Sequence, residues 1–202
     1  MLNSIIESIP ISMFKTDTES YPKYELPKNY SFKFYEPGDE RLWADIHVRA
    51  GEFKDFDKAI KCFTGAFVTN QSLNLSERMI FVLDDKGNAV ATSALWCGIY
   101  LGKEHQRIHW VAVDNKCAGL GIAKAMLTKL LDLYNELGYR GFIYLTSGTV
   151  HYPAISIYRK FGFLDYRSRI NPLSCENDEE YFKRNERAFE IINAKISEYK
   201  RG

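Results

Sequence analysis

Residues Val113–Leu127 read VDNKCAGLGIAKAML. Gly119 and Gly121 stand one residue apart, directly after the apolar strand pattern Arg107–Val113 (RIHWVAV). A helical pattern starts immediately behind them. The first-turn amides of such a helix have no partner inside it and carry the positive end of its dipole. Bare glycines let an anion approach that backbone. The stretch is therefore either a phosphate or pyrophosphate seat or a tight strand-to-helix turn built for packing, and a lone Gly-x-Gly does not separate the two. Two nucleotide readings fail here. A dinucleotide fold needs a third glycine where Lys124 stands, and a P-loop needs a longer loop ending in Gly-Lys-Ser/Thr.

Working outward, Gly121–Leu137 predicts an amphipathic helix stopped by Gly138, with Met126, Leu127, Leu130, Leu131, Leu133, Tyr134 and Leu137 on or near one face. Phe142–Thr146 (FIYLT) is a strand and Pro153–Phe161 a helix with proline in its first turn. Upstream, Met79–Leu83 and Ala89–Cys97 flank DDKGN and form a hairpin. GIYLGKEHQ reads as a loop, and Ser31–Tyr35 as a short strand. Helices are expected at Glu40–Arg49 and within Phe56–Phe67. Phe163–Ile170 reads as a strand and Asp178–Tyr199 as a tail helix. Residues 1–29, punctuated by Pro10, Pro22 and Pro27, read as an extended lead-in. The order describes a mixed sheet carrying helices, an α/β or α+β layered domain.

Composition narrows the partners. Lys plus Arg number 27 and Asp plus Glu 26, a formal net charge of +1. That balance gives no pull toward nucleic acid or an anionic membrane. No apolar run approaches the roughly 20 residues of a membrane span. Cys62, Cys97, Cys117 and Cys175 are scattered without a CxxC pair, which argues against a metal site. A cytoplasmic protein with reduced thiols is expected.

VDNKCAGLGIAKAML resembles motif A of the GNAT N-acetyltransferase superfamily, Gln/Arg-x-x-Gly-x-Gly/Ala, across Ala118–Ala123. PAISIYRKFGF (Pro153–Phe163) resembles the motif B that follows it in that family. The resemblance spans about Ile108 to Tyr166. It implies a splayed mixed sheet flanked by helices, divided here as lead-in 1–29, acetyltransferase domain 30–172 and helical tail 173–202. It implies that Val111, Ala112 and Val113 pair by their backbone with the pantetheine arm of acetyl-CoA. The amides of Gly119, Leu120, Gly121, Ile122, Ala123 and Lys124 would hold the pyrophosphate. Ala118 replaces the family's Gln/Arg, so any such seat works through backbone donors. His151 stands where the family often has Asn and is a candidate cofactor contact.

Acetyl transfer to an amine needs a base for the amine, polarisation of the thioester and a proton for the leaving thiolate. By the resemblance, Tyr158 is the acid and a contact to the cofactor; the rival reading is a helical core tyrosine. His109 is the candidate base, placed by strand alternation on one face with Val111 and Val113, against the rival of a structural histidine. The expected activity is N-acetylation of a primary amine on a small or amino-acid-like acceptor by direct transfer. Acetylation of a protein or peptide amine and a non-catalytic acyl-CoA sensor are the alternatives. Trp96, Tyr100 and Phe53 can line the acceptor side or belong to the core. The stripe on the tail helix fits intramolecular packing or a homodimer contact.

Overall fold

The structure, a computed structural model, describes residues 6–68, 73–169 and 177–199. Seven strands make one mixed sheet in the order β2-β3-β4-β5-β6-β1-β7. In chain order they are β1 (Pro10–Lys15), β2 (Ser31–Phe34), β3 (Met79–Leu83), β4 (Ala89–Tyr100), β5 (Lys103–Val113), β6 (Ile143–Gly148) and β7 (Leu164–Asp165). The helices are α1 (Glu40–Arg49), α2 (Phe56–Phe63), α3 (Ile122–Glu136), α4 (Tyr152–Lys160) and α5 (Asp178–Tyr199). Among the described residues, no helix is long and apolar enough to cross a membrane.

The chain divides into two units. The first holds Lys23–Trp96 and Ile108–Arg140. Within it β2, β3 and β4 pair antiparallel, and Asp84 closes the β3–β4 turn by accepting from the Lys86 and Asn88 amides. Asp55 caps α2 by accepting from the Lys58 amide at 2.8 Å. The core gathers Trp43, Ile46, Phe63, Phe67, Met79, Phe81 and Trp96. Helix α3 buries Met126, Leu127, Leu130, Leu131, Leu133 and Tyr134 as its periodicity requires, while Leu137 lies exposed past its end.

The second unit holds Met1–Pro22, Cys97–Arg107 and Gly141–Gly202. Strand β1 lies between β6 and β7 and is antiparallel to both, from Pro10↔Gly148 to Lys15↔Ile143 on one side and at Phe14↔Leu164 on the other. Strands β5 and β6 run parallel, paired at Gln106↔Ile143 and Arg107↔Tyr144. Phe14, Tyr100, Phe142, Tyr144 and Tyr166 pack ring on ring. Of the apolar stripe Tyr181, Phe182, Phe189, Ile192 and Ile196, helix α5 buries Phe189, Ile192 and Ile196, with Ala188 beside them, whereas Phe182 is exposed and Tyr181 half-buried.

Four elements differ from the sequence reading. The lead-in contributes β1, whose Ile11, Ser12, Met13 and Lys15 are all buried. A strand covered on both faces shows no alternation, so its pattern is silent. GIYLGKEHQ is not a loop: β4 runs to Tyr100 and β5 starts at Lys103 around a tight turn with Leu101 at φ 53° and Gly102 at φ 75°. Gly98, the first residue of that stretch, is a strand glycine, and a Cβ there would fall 2.3 Å from the Tyr144 hydroxyl. Helix α2 lies within the expected Phe56–Phe67 and passes into a π turn over Thr64–Val68. The strand expected over Phe163–Ile170 is short, Leu164–Asp165, and Ile170 lies outside the described residues.

Candidate active site

The glycine turn has the backbone an anion seat requires. Asp114 caps a single 3-10 turn over Asn115–Cys117 by accepting from the Lys116 amide at 2.9 Å. Ala118 then runs extended, and Gly119 and Gly121 both take left-handed conformations, φ 82° and 87°. A Cβ at either glycine would meet nothing within 4 Å. It is therefore the positive φ, and not crowding, that selects glycine here. Gly121 is the N-cap of α3 and has no side chain to satisfy the first-turn amides. The Lys124 and Ala125 amides both return to the Gly121 carbonyl, at 3.0 and 3.1 Å. Gly119 to Ala123 are thus the leading amides of the turn. The Lys124 ammonium lies over the Tyr24 ring at 5.2 Å.

A latch fixes the strand end before this turn. Arg49, the last residue of α1, pairs with the Asp114 carboxylate and donates to the Ala89 carbonyl at 2.6 Å. Asn115 donates from its side chain to the Arg49 carbonyl at 3.0 Å. The Asp114 amide donates to Val90 at 2.8 Å. Burial opposes ionisation of Asp114, but the Lys116 amide and the Arg49 guanidinium outweigh it and hold the carboxyl below the usual carboxylate range. Sequence reading missed this latch because its members lie 65 residues apart.

Strand β5 does not alternate simply. Trp110 sits at φ 49°, a left-handed conformation rare for a bulky residue. His109 and Trp110 are sequence neighbours, yet both rings meet one aromatic cluster. His109 packs on Phe67 at 5.5 Å and Trp110 on Trp43 at 5.3 Å. The alternation that would put His109 on one face with Val111 and Val113 is thus broken at Trp110. The His109 carbonyl accepts from the Ser93 hydroxyl at 3.4 Å. His109, Val111 and Val113 are half-buried, and Ala112 is buried in the core.

His47, on α1, is the titratable residue that sequence reading passed over. It is 1% exposed, and its ring lies 4.0 Å from Trp43 and 5.2 Å from Trp110. Burial pushes its pKa down to about 3, so the imidazole is neutral at physiological pH. Its position four residues after Trp43 on a helix was the available signal.

His109, Val111–Val113 and Gly119–Lys124 all belong to the first unit; His151 and Tyr158 belong to the second. His151 is exposed at the end of a 3-10 turn leading into α4. Tyr158 lies on α4, 7% exposed, with its ring 6.1 Å from Phe163. The next residue, Arg159, grips Asp165 through two nitrogens at 3.1 and 2.8 Å and reaches Asn193 of α5 at 2.8 Å. Helix α4 is thereby fixed against β7 and α5. Trp96 and Tyr100 are both buried core residues, whereas Phe53 is partly exposed.

Residues 24–163 match the acetyltransferase (GNAT) family, and the chain belongs to that family. A GCN5-related N-acetyltransferase from Sphaerobacter thermophilus has the same fold at TM-score 0.59 and 22% identity, over 78% of this chain and 48% of that one. A GNAT-family acetyltransferase from Colwellia psychrerythraea matches at TM-score 0.58 and 13% identity, over 79% and 54%. At such identities the likeness is one of fold. The chain spans about half the length of these solved structures. No curated protein matches it.

Proposed function

We propose that the protein transfers an acetyl group from acetyl-CoA to a primary amine of a small, amino-acid-like acceptor, directly within a ternary complex. The observation that carries this reading is the turn at Gly119 and Gly121. Both glycines are left-handed, and the turn feeds the uncapped N-terminus of α3 inside the matched acetyltransferase domain. The donors it offers are the amides of Gly119 to Ala123, which suit a pyrophosphate. The backbone of Val111–Val113 takes the pantetheine arm.

Acetyl-CoA supplies an acyl group activated as a thioester. The chain's residues do the rest. The acceptor amine loses its proton to His109 or to a water that His109 holds, and its nitrogen forms the new bond to the acyl carbon. As the carbon–sulfur bond breaks, Tyr158 gives its phenolic proton to the departing sulfur. His151, at the entrance to α4, is a further cofactor contact. The near-neutral charge favours a small acceptor over a nucleic-acid-bound one.

Release of free CoA thiol, followed with a panel of amines, tests the reading. Tyr158→Phe lowers turnover by roughly 10²-fold or more while CoA still binds, as loss of a general acid requires. Turnover unchanged in that variant removes Tyr158 from the acid role. Turnover confined to peptides replaces the small-molecule reading, and tight CoA binding without turnover on any amine replaces it with a sensor. Gly121→Trp abolishes CoA binding in a direct titration, since its side chain would fill the seat; unaltered affinity overturns the seat.

A further inference from the structure

The first unit carries polar atoms that its own packing does not explain. Trp43 Nε1, His47 Nδ1, His47 Nε2 and Trp110 Nε1 are buried, and none has a hydrogen-bond partner among the described residues. Unpaired buried polar atoms cost stability and are few in native proteins. Here four of them fall on three rings in mutual contact. His47 lies 4.0 Å from Trp43 and 5.2 Å from Trp110, and Trp43 lies 5.3 Å from Trp110. Phe53 completes the group, 5.7 Å from Trp110 with ring planes 32° apart. Phe53 and Trp110 are partly exposed, whereas Trp43 and His47 are fully buried. Partly exposed Phe53 and Trp110 thus pack on the buried rings of Trp43 and His47, a floor that carries unpaired ring nitrogens. Trp110 holds a left-handed backbone there, strain of the kind that collects at ligand sites.

We propose that this cluster is the acceptor-specificity subsite, and that it takes a planar aromatic group bearing a hydroxyl-type hydrogen-bonding edge. The chemistry of the floor sets that choice. Two indoles donate only, and a neutral imidazole donates once and accepts once. A phenolic hydroxyl complements this set, since it gives its proton to the imidazole and receives an N–H in return. Burial keeps His47 neutral, which preserves the accepting nitrogen. The position also suits the reaction, because Trp110 lies between His109, the proposed base, and Val111. A ring seated against Phe53 and Trp110 places a side-chain amine on the strand that carries that base. Phe53 is on the α1–α2 connection and is the wall residue outside regular structure. The inference rests on the acetyl-transfer reading for the identity of the reacting amine.

Direct calorimetric titration tests it without any chemistry. Tyramine, phenethylamine and putrescine are titrated into the full-length protein, with and without CoA. The wild type is expected to bind tyramine roughly 10-fold more tightly than phenethylamine, about one buried hydrogen bond's worth, and putrescine weakest. His47→Phe keeps the aromatic packing and removes the floor's only acceptor. In that variant tyramine falls to the level of phenethylamine. A purely structural role for His47 would weaken both ligands alike and leave their ratio unchanged. Phe53→Ala weakens both aromatic ligands and leaves putrescine as it was. Equal wild-type affinity for tyramine and phenethylamine, putrescine binding as tightly as either, or a preserved ratio in His47→Phe each overturns the subsite. CoA titrated alone reports separately on the pyrophosphate seat. Its failure sinks the proposed function while leaving the amine result standing.

Discussion

His47 shows how one residue's surroundings set its chemistry. Its ordinary pKa is 6.5, and burial among rings lowers it to about 3 in the folded protein. The folded value lies below the unfolded one. Between them the unfolded chain binds a proton that the folded chain refuses. The stability His47 contributes is therefore complete above about pH 6.5 and is lost as pH falls toward 3. At about pH 5 the loss reaches up to about 2 kcal/mol. Urea unfolding of wild type and His47→Phe at about pH 7.5 and 5 checks this. The variant loses less stability than the wild type over that interval, and parallel losses would show that the imidazole is paired or solvated after all. The glycine turn was readable at this scale from sequence, because positive φ is a local demand that glycine meets alone. His47 was not, because a histidine's burial is decided by rings from other segments.

Among the elements, α1, β3, α3 and α5 lie where periodicity and caps put them, within a residue at each end. Those signals are local: hydrophobic spacing along each element and Gly138 as the stop of α3. Elements shaped by neighbours escaped. Strand β4 continues through Gly98, where the Tyr144 hydroxyl occupies the space of a side chain. The latch between α1 and the β5 end belongs to this scale too. Arg49 is about one-third exposed and Asp114 nearly buried, so the pair is screened on one side only. Asp114→Asn removes the charge and keeps the shape. It should cost about 1–3 kcal/mol, the range for a buried group that loses a charged partner. It should also weaken CoA binding, because the Asn115–Gly121 turn hangs from this residue. Denaturant titration and calorimetry measure the two effects. CoA affinity unchanged in a destabilised variant would mean that the latch holds the fold and not the seat. Asp114's folded pKa is depressed, so its contribution is present above the ordinary carboxylate pKa and drains as pH falls through the folded value.

At the level of the whole molecule, β1 is the element on which the second unit depends. It stands between β6 and β7, so its removal leaves both without their ladder on that side. The Ile9 amide also donates to the Thr149 hydroxyl at 3.0 Å, across 140 positions of sequence. Deleting residues 1–16 should abolish cooperative unfolding of that unit and reduce soluble yield. Hydrogen exchange then shows β6 amides unprotected while α3 amides stay protected. Protection of β6 at wild-type levels would show that β1 is dispensable.

The sequence by itself determined the order of helices and most strands, the two motifs, the family they resemble and the backbone character of the glycine turn. Each is written in residues close together, where φ preferences, side-chain period and turn chemistry act. Only the tertiary structure decided that the N-terminal stretch is an inner strand, that Trp110 interrupts β5, and that Arg49 secures Asp114. It also decided that Trp43, His47 and Trp110 share one buried cluster. Those facts depend on pairing and packing between segments tens to more than a hundred residues apart. Loop closure and burial energetics choose among such pairings, and a one-dimensional pattern carries no record of the choice.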